Sequence, residues 1–186
     1  MQCQSTLVKL SDMDITHGTG QRHDSGKPDW SLMPLDQVAM IIDEMQHPDE
    51  WQMPVIDPIY LFKLISTFQS DPSEENAKTL VIHSFGFLIQ HFSSNASKCF
   101  EEIIAVWSSG ERKYDAFNWM KGMPWSKPLA CYMRHLNNLW QGIVIDKESG
   151  RHHGAHLVCN AMMLLHYVNY YQDGNDLPHR WYKPME

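Results

Sequence analysis

The sequence predicts an all-α protein: a bundle of about five or six helices behind an irregular N-terminal arm. Three observations carry this reading. Apolar residues recur three and four positions apart in most segments. No convincing stretch alternates apolar and polar residues with the period of two that a half-buried strand requires. Prolines, glycines and capping residues punctuate the chain at helical lengths. The 186 residues fit one domain spanning 1–186, and 43% hydrophobic against 20% charged residues is a globular composition.

Each element follows in order. Residues 1–33 lack helical periodicity, and Gly18, Gly20, Gly26 and Pro28 interrupt "HGTGQRHDSGKPDW". Pro34 suits the first position of a helix, where no N–H is needed, and Leu35, Val38, Ile41, Ile42 and Met45 follow at helical spacing. "HPDEWQMPVIDP" is a proline-broken connector, although "VIDPIYLF" is also short enough for a strand. "IYLFKLISTFQS" is a mostly apolar helix. The next helix, through "LVIHSFGFLIQHF", has Asp71 or Ser73 as its cap and Glu74 and Glu75 near its positive end. "SSNASKCFEEIIAVWSSG" is a helix expected to stop at Gly110. "ERKYDAFNWMKGMP" is a loop or short helix. "WSKPLACYMRHLNNLWQG" runs from an early Pro128 to a terminating Gly142. A loop, "IVIDKESGRH", leads to the last long helix, "HGAHLVCNAMMLLHYVNYYQ".

Composition excludes several functions. A net charge of −7 argues against general nucleic-acid binding, while a few local cations or a metal ion still suffice for a small phosphorylated ligand. Cys3, Cys99, Cys131 and Cys159 are far apart, so neither a zinc ribbon nor a disulfide framework is expected, and the chain reads as cytoplasmic. No apolar run approaches the roughly 18 residues of a membrane span. Neither Gly-x-Ser-x-Gly nor His-Glu-x-x-His occurs.

The chemistry concentrates in the last third. His153, His156 and Asn160 share one helix face, because residues three and four apart are neighbours there. Such a line either covers a solvated or internally satisfied surface, or converges on a phosphate, a base or a metal. Arg134 and His135 lie on the preceding helix, which the short loop makes antiparallel. The loop supplies Asp146 and Glu148, and the third helix from the end supplies Glu101 and Glu102. These are hard oxygen ligands suited to magnesium or manganese. Lys113 can meet a phosphate, and Tyr114, Asn118 and Trp119 beside it offer stacking and hydrogen bonding to a base. A loop held down by aromatic packing explains that last group equally well.

At these residues a family resemblance enters. "GKPDWSLMP", "EEIIAVWSSGERKYDAFNW", "RHLNNLWQG", "DKESG" and "HHGAHLVCNAMMLL" resemble, in the same order, motifs of a phage-rich family of dATP/dGTP diphosphohydrolases. The likeness covers about 25–45 and 99–168, and it extends distantly to all-α nucleotide pyrophosphohydrolases of the MazG type. It implies metal-dependent cleavage of a deoxynucleoside triphosphate to monophosphate and pyrophosphate, with Mg2+ or Mn2+ as cofactor. It also implies a homo-oligomer in the host cytoplasm. Carried onto this chain, Glu102, Asp146, Glu148 and His156 become the catalytic candidates, and Glu101, Glu102, Asp146 and Glu148 the metal ligands. Lys27, Lys113, Tyr114, Asn118, Trp119, Arg134, His135, His153 and Asn160 become the nucleotide contacts.

The chain also departs from the family. The MazG-type Glu-x-x-Glu arrangement is absent at Glu101 and Glu102, and Ile143 stands where the family often has Glu. Residues 46–98 look like a helical insertion between motifs. The alternative function is therefore a non-catalytic nucleotide-binding or counter-defence protein that sequesters a nucleotide signal or a host factor.

Overall fold

Residues 29–46 and 55–178 are described by a computed structural model. They form six α-helices: α1 (Leu35–Met45), α2 (Pro58–Ser70), α3 (Glu74–His91), α4 (Ala96–Tyr114), α5 (Ser126–Trp140) and α6 (His153–Tyr170). No strand forms among the described residues, and the one β-type contact is an isolated bridge between Ile145 and His152. The short "VIDPIYLF" segment is helical from Pro58 onward. No helix among the described residues is long and apolar enough to cross a membrane.

Local chemistry sets the helix starts. Asp57 accepts the Tyr60 N–H at 2.7 Å, with Pro58 as the first helical residue of α2. Ser73 accepts from Asn76 at 3.3 Å, and Glu74 and Glu75 then face the positive end of α3. Asn95 accepts from Lys98 at 3.0 Å to open α4. At the end of α5, Gly142 takes φ 75°, a left-handed conformation that favours glycine. The Gly142 N–H then reaches Leu139 O at 3.0 Å and the Ile143 N–H reaches Asn138 O at 2.9 Å, which is a Schellman closure.

Gly110 does not terminate α4, contrary to expectation. The helix runs through it to Tyr114 and stops at Asp115, whose φ is 72°. Arg112 and Lys113 in the last turn favour the negative end of the extended helix. The segment after α4 is fixed from outside: Trp107 stacks on Trp119, ring centroids 5.0 Å apart, and Tyr167 Oη donates to Trp119 O at 2.7 Å.

Helix α6 sits at the centre. It buries thirteen of its 18 residues, too many for a helix that covers the core with one face. It packs against α3, α5 and α4, and α2 lies against α3 and α5. Helices α2 and α3 occupy most of the 46–98 segment and are built into this core: Leu61, Phe68, Leu80, Val81, Phe85 and Leu88 are fully buried. Helices α5 and α6 are antiparallel. Trp125 Nε1 donates to Tyr171 O at 2.8 Å at one end, and His135 meets His153 at the other.

Asp115, with φ 72° and ψ 158°, occupies a region that essentially only glycine populates without strain. Asp115→Gly is expected to raise the unfolding free energy by about 1 kcal/mol, since relief of strain outweighs the extra chain entropy of glycine. Urea denaturation of the two chains would measure it; a lower midpoint for the variant would show that the turn is relaxed.

Candidate active-site cleft

The junction of α5 and α6 brings three imidazoles together. His135 and His153 meet through their Nδ1 atoms at 2.7 Å, and His135 stacks on His156 with centroids 4.2 Å apart and planes 11° from parallel. Sequence spacing explains the second contact, because His153 and His156 lie one turn apart and both face α5. The backbone explains the tight approach at the helix start. A Cβ on Gly154 would stand 2.8 Å from His152 Nδ1 and 3.1 Å from Leu88, so glycine is required where α6 begins beside α3.

The loop from 141 to 152 supplies the acid. Asp146 folds the chain back on itself: its N–H donates to Arg151 O at 2.8 Å, and its own carbonyl accepts from Gly150 at 2.8 Å. Its Oδ2 accepts from the Ser149 N–H at 2.9 Å and from Ser149 Oγ at 2.7 Å. Ser149 Oγ also lies 2.8 Å from His156 Nε2. The consistent proton order is His156 Nε2–H to Ser149 Oγ–H to Asp146. The hydroxyl stands between imidazole and carboxylate, unlike a hydrolase triad, in which histidine stands between the other two.

Electrostatics follow burial. Burial holds His135 down to about 3, with His156 and His153 adding to the effect against Asp146. Burial likewise lowers His156 to about 4, opposed by Asp146, and lowers His152 to about 4 with help from His91. Burial pushes the Asp146 carboxyl upward, but the two Ser149 hydrogen bonds and the nearby imidazoles outweigh it, so the group lies below the ordinary range. The site thus pairs a carboxylate with neutral imidazoles.

A cleft of about 510 Å³ opens beside this cluster. It gathers most of the residues singled out from the sequence: Lys113, Tyr114, Asn118, Trp119, Arg134, His135, Asp146, Glu148, His156 and Asn160 all line it. His153 contacts His135 but is not part of the lining. Lys113 donates to the Glu148 carboxylate across the cleft edge. Asn160 Nδ2 donates to His156 O at 2.7 Å, and Arg134 Nη2 reaches Cys131 Sγ at 2.8 Å.

Other expected residues lie elsewhere. Glu101 is exposed and pairs with Lys98 at 3.3 Å. Glu102 is buried, accepts the His152 N–H at 3.0 Å and lies 3.4 Å from Arg151 Nη1, so it holds the start of α6. Neither lines the cleft, and the four carboxylates Glu101, Glu102, Asp146 and Glu148 do not converge. Ile143 also lies outside the lining and is 40% exposed. Lys27 falls outside the described residues. The potential metal ligands brought together among the described residues are His135, Asp146 and His153, whose donor atoms all lie within 4.8 Å of one another.

Ser149, which lies in the "DKESG" motif but received no role from the sequence, also lines the cleft, as do Trp107, Leu32 and Met163, which the sequence did not single out. Ser149 was recognisable as the residue three after Asp146, the spacing at which a carboxylate caps a turn. The other three read as ordinary core residues.

Two outcomes test this arrangement. Glu102→Ala should cost about 1–3 kcal/mol of stability, because it strands the buried His152 N–H. An unchanged denaturation midpoint would reject the clamp. The pH dependence has a definite sign. The unfolded chain protonates His135, His152 and His156 near 6.5, whereas the folded chain resists down to about 4 or below. As pH falls the unfolded state therefore takes up protons first, and stability drops through that window. The unfolding free energy at about pH 4.5 should be lower than at about pH 7.5 by at least about 1.4 kcal/mol. Equal values would mean that the imidazoles are solvated.

Residues 88–177 match the model of a family described as dATP/dGTP diphosphohydrolase, N-terminal. No curated protein and no solved structure matches the chain. The matched segment begins in the last turn of α3 and runs past α6, so it holds every cleft residue named above except Leu32. The match covers just under half of the chain, and over that segment the chain is similar to the dATP/dGTP diphosphohydrolase N-terminal family.

Proposed function

We propose that the cleft binds a deoxynucleoside triphosphate, dATP or dGTP, and hydrolyses it between the α- and β-phosphates to monophosphate and pyrophosphate. The observation that carries this reading is the polarity gradient along α6. His156 stands level with His135, Asp146 and Ser149. Asn160 lies one turn on, and Met163 a further turn on, in the same cleft as Trp119. His156 and Met163 are seven residues apart, about 10 Å along the helix. A ligand with a charged end and a ring end fits such a gradient.

Each residue then has a task. Arg134 and Lys113 bind phosphate oxygens, and Lys113 exchanges its Glu148 partner for the ligand. Trp119 and Tyr114 offer ring faces to the base. Trp107 lines the same cleft, and its buried Nε1 has no hydrogen-bond partner among the described residues, so a small shift of the ring would offer that donor to a base acceptor. Asn118 and Asn160 offer amide groups to the base edge. Neutral His156 and the Asp146 carboxylate are the proton acceptors for the attacking water. A divalent ion bound here would neutralise phosphate charge and lower the pKa of a bound water.

The test is incubation of the chain with each nucleoside triphosphate in the presence of magnesium or manganese, with products separated by ion exchange. Pyrophosphate and a deoxynucleoside monophosphate are expected, with Asp146→Asn slowing the reaction on the order of 10²-fold or more. Nucleotide retained intact would indicate sequestration, and nucleotide neither bound nor cleaved would end the nucleotide reading.

A further inference from the structure

We propose that His135, His153 and Asp146 form a binding site for one first-row transition-metal dication, such as manganese, cobalt or zinc, in preference to magnesium. The proposal rests on the nucleotide reading for the ion's use, but not for its binding.

The ligand atoms come from three separate elements. His135 stands on α5, Asp146 in the loop and His153 at the first position of α6. Their donor atoms fall within 4.8 Å of one another. The two Nδ1 atoms lie 2.7 Å apart. Two nitrogens bound to one ion at the usual lengths stand about 3.0–3.4 Å apart, so the rings need to open by less than about 1 Å.

Donor type selects the ion. Two imidazoles and one carboxylate suit manganese, cobalt, iron or zinc, whereas magnesium takes oxygen ligands and water. Of the carboxylates an oxygen-rich cage would need, Glu101 and Glu102 lie outside the cleft, on Lys98 and on the His152 N–H.

The surroundings also fit. Ser149 holds Asp146 through two hydrogen bonds that both fall on Oδ2. Glu102 anchors the backbone N–H one residue before His153. Such outer contacts orient ligands in metal sites. His135 and Asp146 line the cleft and His153 backs them, so an ion held by all three keeps its remaining positions toward the ligand space. Three protein ligands and an open side mark a catalytic rather than a structural site. A purely structural role explains the cluster poorly, since leucines would fill a helix junction without burying polar nitrogens.

The test uses the full chain without nucleotide. Isothermal titration with cobalt, manganese and magnesium chlorides should show one transition ion per chain, bound at least about 100-fold tighter than magnesium. His153→Ala and Asp146→Asn should each weaken cobalt binding about 10-fold or more. Should His153→Ala fail to fold, pulsed electron paramagnetic resonance of manganese on the unaltered chain decides the matter. Coupling to histidine nitrogen supports the site, and its absence overturns it. Magnesium binding as tight as cobalt, or cobalt binding unchanged in folded variants, also overturns it. Tight cobalt binding without triphosphate cleavage supports this site and ends the diphosphohydrolase reading. Cleavage with magnesium alone, unaffected by His153→Ala, does the reverse.

Discussion

The burial of α6 on nearly every side is the constraint on which the rest of the structure depends. A helix that exposes so little must be enclosed by α3, α4 and α5, and its few polar side chains must find partners inside the bundle. His153 and Asn160 are buried at its α5-facing and cleft-facing positions. Their chemistry cannot be solvated away, so the bundle either satisfies it internally or leaves room for a ligand. Both happen here: Asn160 bonds back to its own helix, while the histidines meet each other beside a cleft.

The ends of α6 are fixed by different means, and this shapes the cleft. At its start, Glu102 of α4 takes the His152 N–H, and His152 Nδ1 caps the helix through the Gly154 N–H at 2.8 Å. At its far end, Trp125 bonds the Tyr171 carbonyl. Helix α5 is thus tied to α6 at that end, and at the other His135 meets His153. The turn after α4 is held by the stacked tryptophans and by the hydroxyl of Tyr167. A cleft whose walls are fixed at several separate points is pre-organised, which lowers the ordering cost of binding.

Two carboxylates that look alike in the sequence have different fates for physical reasons. Glu102 is buried beside an unpaired backbone donor at a helix start, where a negative charge is favoured. Asp146 sits in a tight turn that satisfies one oxygen locally and leaves the group at the cleft wall. The first holds the start of α6, and the second is left facing the cleft. Residue type alone does not separate them, because the distinction lies in what each carboxylate faces.

Much was determined by sequence alone. Helical periodicity, the capping Ser73 and the terminating Gly142 specify an all-α chain, because these are local properties of neighbouring residues. The line of His153, His156 and Asn160 was visible for the same reason, and ordered motifs pointed to the family. Tertiary structure decided the rest. The position of the turn after α4 depends on the stacking of Trp119 on Trp107 and on a hydrogen bond from Tyr167. The separation of Glu101 and Glu102 from Asp146 depends on how α4 packs against the start of α6. The pairing of His135 with His153, and the place of Trp107, Leu32 and Met163 in one cleft, join residues far apart in the chain. Spacing along one helix reports its own faces, but only packing determines which face of another helix stands opposite.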